Sequence, residues 1–250
     1  MNLSIRKVDI GYTLLIITSL IALLVISMSS PIEQSQSYHE FSDSTMFLSI
    51  PNFWNVISNL PFTIVGFMGI HKLRQITKKI RIQYVCFFLG LIFISTGSSY
   101  YHLSPNDATL VWDRLPMTIV FMALFSIIIS EFINNKLGVI LLFPLLILGV
   151  ISILVWLHFN DLRLYALVQF FPVVAIPIIL LFFKSKYNII IGYWIVLIAY
   201  VFAKLFEYFD YQIHEYTHVI SGHSLKHIFS AIGLLALFYS YVKRKKLVIK

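Results

Sequence analysis

Eight times along this chain an apolar stretch long enough to cross a lipid bilayer recurs with few or no charges. The stretches lie at 10–28, 54–70, 83–101, 115–130, 137–156, 164–183, 188–206 and 225–242. A bilayer's hydrocarbon core needs about 20 helical residues to span it. Within it, backbone polar groups must be satisfied inside the segment, which leaves helices as the outcome for runs of this kind. The composition agrees, because 59% of residues are hydrophobic and only 12% are charged, about half the charge of a soluble domain. The expected fold is therefore all-α, a polytopic membrane helix bundle with no room for a soluble domain. Connections are mostly short, so consecutive helices should pack as antiparallel neighbours. Cys86 is the single cysteine, which excludes an intrachain disulfide and a thiolate metal cluster.

The first stretch admits two readings. Arg6 and Lys7, an apolar run and Ser-Met-Ser-Ser resemble a secretory signal, but the run is long for a signal's apolar region, and a retained helix is the favoured reading. The expected organisation is an N-terminal span with its outer loop over 1–50, followed by a helical membrane domain over 51–250.

The net charge of +8 belongs to topology. With the N-terminus inside, fifteen of nineteen Lys and Arg residues fall on the inner side: Arg6 and Lys7; Lys72 to Arg81; Lys136; Lys184 and Lys186; and Lys243 to Lys250. That bias follows the positive-inside rule and predicts both termini in the cytoplasm, with a possible attraction to anionic headgroups. Nucleic acid binding has no support. Arg114 and Arg163 are assigned to outer loops, and Lys204 and Lys226 to outer helix ends.

Seven of the eight histidines and nine of the eleven acids fall on the outer side. Histidines gathered at one face from different helices point to a metal or proton site; His39 and His158, alone in loops, read as solvated. Ser98 and His102 are four residues apart at the outer end of the third span and share one helix face. Asp113 follows in Trp-Asp-Arg-Leu-Pro, where Pro116 suits a first helical turn and Asp113 suits an N-cap or its neighbour. His223 and His227, entering the last span, are a second i, i+4 pair, the spacing with which a helix offers two imidazoles to one metal. His102 closes an outward span and His223 opens an inward one, so all three can lie at one depth. Three imidazoles with an open fourth position make a catalytic zinc site, where zinc lowers the pKa of a bound water to about 7.

A competing pattern is His214-Glu215-Tyr216-Thr217-His218, a literal His-Glu-x-x-His of zinc peptidases. Those enzymes need a third ligand downstream. No acid follows Glu215, and Gly222 and His223 stand at the wrong offsets for the extended motif. Lys204, Glu207 and Asp210 mark the outer end of the seventh span; intramembrane charges are functional suspects, although Lys204 and Glu207 can neutralise each other. Asn52, Asn55, Ser58 and Asn59 cluster at the outer start of the second span, either as interhelical hydrogen bonds or as part of a substrate site.

Together, Phe53-Trp54-Asn55-x-x-Ser58-Asn59, Gly97-Ser98-x-x-x-His102, Asp113 and Gly222-His223-x-x-x-His227 resemble the alkaline ceramidase family of integral membrane amidases. That family sits in a superfamily with the adiponectin receptors. The resemblance spans about residues 51–242. It implies a seven-helix core, with the first span as an addition. It also implies zinc on His102, His223 and His227, with Ser98 and Asp113 contacting the water or the reacting carbonyl. Eukaryotic members add a calcium site, with a glutamate where this chain has Asn52; only Glu40 and Asp43 lie nearby, so calcium is not expected. Arg114 and the Leu115-Pro116-Met117 run point to a microbial branch. The expected activity is hydrolysis of a lipid amide, ceramide-like, at the outer leaflet. The rival from another class is a receptor or transporter whose metal is structural.

Overall fold

The computed structural model describes residues 3–76 and 81–247. Lys78, Lys79 and Lys250, counted above on the inner side, lie outside the described residues.

The chain is a bundle of α-helices: α1 Leu3–Met28, α2 Phe53–Ile57, α3 Leu60–His71, α4 Leu73–Ile76, α5 Arg81–Leu103, α6 Asp107–Ile128, α7 Asn135–Phe159, α8 Arg163–Phe182, α9 Ile191–Tyr208, α10 Asp210–Thr217 and α11 Gly222–Lys243. A 3-10 turn at Gln36–His39 and a π turn at Ile129–Ile133 complete the regular structure. Eight segments are long and apolar enough to cross a membrane, with α2 and α3 counting together as Phe53–His71. No named strand occurs among the described residues, and the all-α polytopic bundle expected from the hydropathy pattern is what the chain adopts.

Burial separates the centre from the edge. In α6 78% of the spanning window is buried, against 6% in α1, so α6 is the axis and α1 an outlying helix seated on α8. Around the axis, α6 packs on α5, α7 and α8, while α11 packs on α9 and α3.

One boundary differs from the sequence reading in a way that matters. The fourth span begins at Asp107, not near Leu115. Asn106 is its N-cap: the Asn106 side chain accepts from the Thr109 amide, and the Thr109 hydroxyl accepts from the Asn106 amide. This reciprocal pair satisfies the free amides of the first turn, so the helix starts two turns early. Asp113 is therefore not a cap, Pro116 stands inside the helix, and Arg114 is a buried helix residue instead of a loop charge.

Pro116 lacks an amide hydrogen, so the Trp112 carbonyl four residues before it has no helical donor. Gly97 of α5 packs against that carbonyl; a Cβ built there would lie 1.8 Å from the Trp112 oxygen. The missing side chain lets α5 and α6 approach at the level of Ser98 and Asp113. Gly222 plays the same part at the start of α11, where a Cβ would lie 2.1 Å from the Phe206 carbonyl oxygen of α9.

Candidate metal centre and its cavity

Two helix ends converge on one point. His102 ends α5, and His223 and His227 occupy the first two turns of α11. All three are buried, and their candidate ligand atoms lie within 4.8 Å of one another. Nε2 of His102 is 3.3 Å from Nε2 of His223. For a tetrahedral ion with Zn–N bonds of about 2.0–2.1 Å, the ligand–ligand edge is about 3.3 Å, so this donor pair already has the separation one ion requires. No other group of three or more His, Cys, Asp or Glu side chains poised for a metal occurs among the described residues. The donors are imidazoles, which suit zinc and its transition-metal neighbours better than calcium or magnesium.

The surrounding polar residues hold the rings in place. The Ser58 hydroxyl lies 2.9 Å from Nδ1 of His227, which leaves Nε2 as that ring's free nitrogen. Asn55 accepts from the hydroxyls of Ser224 at 2.7 Å and Ser221 at 3.2 Å, tying α2 to the start of α11. Ser221 in turn caps α11 by accepting from the Ser224 amide. Asn52 donates to the His102 carbonyl at 2.8 Å, and Asp210 accepts from the His223 amide at 2.6 Å. The Asn and Ser cluster at the start of the second span thus forms interhelical hydrogen bonds; Asn59 also faces the cavity described below. The Phe41 ring covers the histidines, 4.7 Å from the His102 ring and 4.6 Å from that of His223.

The peptidase motif is dispersed. His214 points its Nδ1 at the Ser42 carbonyl, 2.8 Å away. His218 has left the helix with φ 58° as the C-cap of α10, so it shares no helical face with His214. Glu215 is exposed.

Beside the histidines is a cavity of about 260 Å³. Phe62, Ile94, Met117, Val120, Phe121 and Leu124 supply apolar wall; Ser98, Asp113 and His227 also line it. Ser98 and Asp113 line the same cavity, next to the close approach of α5 and α6 that Gly97 permits. Lys204, Glu207 and Lys226 line the same cavity. Glu207 is shared, with Nζ of Lys204 and of Lys226 each 2.6 Å from one of its oxygens. The expected Lys204–Glu207 neutralisation is thus a triad with a second lysine, and Asp210 belongs to the helix cap at His223.

A second buried cluster, which the sequence reading did not single out, lies at the opposite end of the bundle. Glu131, in the π turn, pairs with Arg244 at 2.6 Å, both side chains 1% exposed. Tyr193 donates to Glu131 at 2.7 Å, and Tyr84 bonds both ions. The available signal was Glu131 as a lone acid at the end of a span; its partner, 113 residues away, has no sequence signature.

No curated protein matches the chain. The Ceramidase family model matches it over residues 40–246, which takes in the three histidines, Ser98, Asp113 and all of the cavity lining but Tyr38. The eight apolar helices make it an integral, multi-pass membrane protein. The chain belongs to the ceramidase family, hydrolases of the ceramide amide bond.

Proposed function

We propose that the chain cleaves the amide of a ceramide-like N-acyl lipid at the outer leaflet of a plasma or inner membrane, with both termini cytoplasmic and zinc held by His102, His223 and His227. The observation that carries this reading is the 3.3 Å separation of the His102 and His223 Nε2 atoms beside a cavity walled by Ser98 and Asp113. An ion held by His102, His223 and His227 would supply Lewis-acid chemistry, lowering the pKa of a bound water toward 7 and polarising a carbonyl. The set of three imidazoles leaves a position open, whereas structural zinc is closed by four protein ligands; this favours an enzyme over a receptor with a structural metal.

The chain's own residues do the rest. The apolar wall from Phe62 to Leu124 accepts the acyl chain and brings the amide carbonyl up from the bilayer. Asp113 takes the proton of the attacking water as the C–O bond forms, and delivers it to the amine nitrogen as the C–N bond breaks. Ser98 and Asp113 line the same cavity. Once Asp113 holds the proton, the Ser98 hydroxyl turns its hydrogen to the carbonyl oxygen, where negative charge develops. The products are a fatty acid and a free amine.

Asp113→Asn keeps the size and the histidines but cannot carry the proton. Turnover of a fluorescent N-acyl sphingosine should fall about 10²–10⁴-fold with zinc content unchanged. Retained turnover removes Asp113 from the mechanism.

A further inference from the structure

A short segment ahead of the second span has a sequence ill suited to a turn in water. Phe47 and Ile50 exchange backbone hydrogen bonds of 3.1 and 2.9 Å. The two residues between them, Leu48 and Ser49, have φ of 50° and 63°. That is the left-handed geometry of a two-residue hairpin, which Asn-Gly fills readily and a leucine fills only with strain. The tip is also apolar: Met46, Phe47 and Leu48 are exposed, Leu48 by 75%. Adjacent exposed apolar side chains of this size mark an interaction site.

The length of the second span says what covers the tip. No Asp, Glu, Lys or Arg occurs between Asp43 and Lys72. The span Phe53–His71 has 19 residues, about 28 Å of helix against a hydrocarbon core of about 30 Å. With Lys72 among the headgroups at one end, Phe53 reaches the opposite boundary, and the hairpin just before it stands in that interface. The Phe47 and Phe53 rings meet edge-on at 4.9 Å, and Phe53 meets Trp54 at 5.1 Å. Aromatic clusters of this kind sit at headgroup level.

The same segment is tied to the histidines. The Thr45 carbonyl accepts from the Phe53 amide at 3.0 Å. The Asp43 carbonyl accepts from the Asn55 side chain at 3.2 Å, and Asn55 also holds Ser224 of α11. Two residues before Asp43, Phe41 covers His102 and His223.

We propose that residues 46–50 form a membrane-docking hairpin whose apolar tip enters the boundary between phospholipid headgroups and acyl chains. This docking seats the strap, residues 29–45, that carries Phe41 over the histidines. Burial of Met46, Phe47 and Leu48 in lipid offsets the cost of holding a leucine in left-handed geometry. The proposal needs neither hydrolysis nor a bound metal.

The test uses the full chain in phosphatidylcholine nanodiscs, with Cys86→Ser and a fluorophore on Leu48→Cys. The expected result is quenching by lipids that carry a nitroxide high on the acyl chain, with several-fold less quenching by iodide than the free label in buffer. Iodide quenching as strong as that of the free label overturns the docking. Shielding from both quenchers means that protein covers the tip, and overturns it too.

Seating is read with a glutamate-specific protease, which cuts at Glu33 and Glu40 once the strap opens locally. Leu48→Asn separates the two readings, because asparagine suits left-handed backbone and does not suit lipid. In nanodiscs it should be cut several-fold faster than wild type, and so should Phe47→Ser, which lies outside the strained pair; helix content by circular dichroism should stay unchanged in both. Cutting of either variant at the wild-type rate, or slower cutting of Leu48→Asn, overturns the seating. The fluorophore measurement decides the docking even where a variant misfolds.

Discussion

The Ser58 hydroxyl stands 2.9 Å from Nδ1 of His227, so a residue of the loop after α2 sets the ring of a histidine on α11. Partners of this kind fix the tautomer and orientation of a metal-binding imidazole, and losing one weakens metal affinity about 10–100-fold. Ser58→Ala should therefore lower zinc affinity by that factor in chelator competition while the helix content by circular dichroism stays unchanged. Unaltered affinity would show that Ser58 does not set the ring.

Gly97 is the second point of leverage. A methyl group there meets the Trp112 carbonyl oxygen at 1.8 Å, which forces α5 and α6 apart between Ser98 and Asp113. A misplacement of about 1 Å at reacting groups costs about 10²-fold. Gly97→Ala is expected to lower kcat by that order with zinc still bound, as read by turnover and metal content together. Full activity would mean the close approach does not position Ser98 and Asp113.

The Glu131–Arg244 pair is structural and distant from the cavity. Breaking a buried pair on one side leaves an unpaired charge and costs about 3–5 kcal/mol. Arg244→Met should lower the thermal unfolding midpoint in detergent sharply, whereas Glu131→Gln combined with Arg244→Met should recover much of the loss. A double variant no better than the single would show that the coupling lies elsewhere in the cluster.

The C-terminal end of α1 is held by an acid-sensitive tie. Asp161 accepts from the Ile32 amide at 3.3 Å and ion-pairs with Arg163 at 2.7 Å, while Arg163 donates to the Ser29 carbonyl at 2.6 Å. Hydrogen bonds from the Arg163 side chain hold the Asp161 carboxyl down to about 2, below its ordinary value of about 3.9. A carboxyl lowered on folding contributes stability that is complete above its unfolded value and lost as the pH falls through the folded one. Pepsin, scaled to a denatured control, should cut around residues 29–34 more readily at pH 2 than at pH 4, and Asp161→Asn should be cut at both. Equal protection of the wild-type chain at pH 2 and pH 4 would contradict this.

These particulars show what a sequence can and cannot give. The spans were readable because membrane helices must be apolar throughout, and the two i, i+4 pairs because helical spacing is local. The meeting of His102 with His223 followed from span direction alone. The position of Asp113 was misread because Pro116 suggested a start, while the Asn106–Thr109 cap two turns earlier wins by satisfying the free amides. The same shift moved Arg114 from a loop into the cavity wall, which no charge count reveals. The Ser58–His227 and Glu131–Arg244 contacts join residues more than 100 positions apart; they exist only after the helices have packed.

The central claim is one metal ion shared by His102, His223 and His227. Its most direct test is zinc per chain, by mass spectrometry, in the gently purified wild type, His102→Ala and His214→Ala. The account predicts about one zinc in the wild type, lost without His102 and kept without His214. Loss with His214 in place of His102, or no zinc in the wild type, would contradict it.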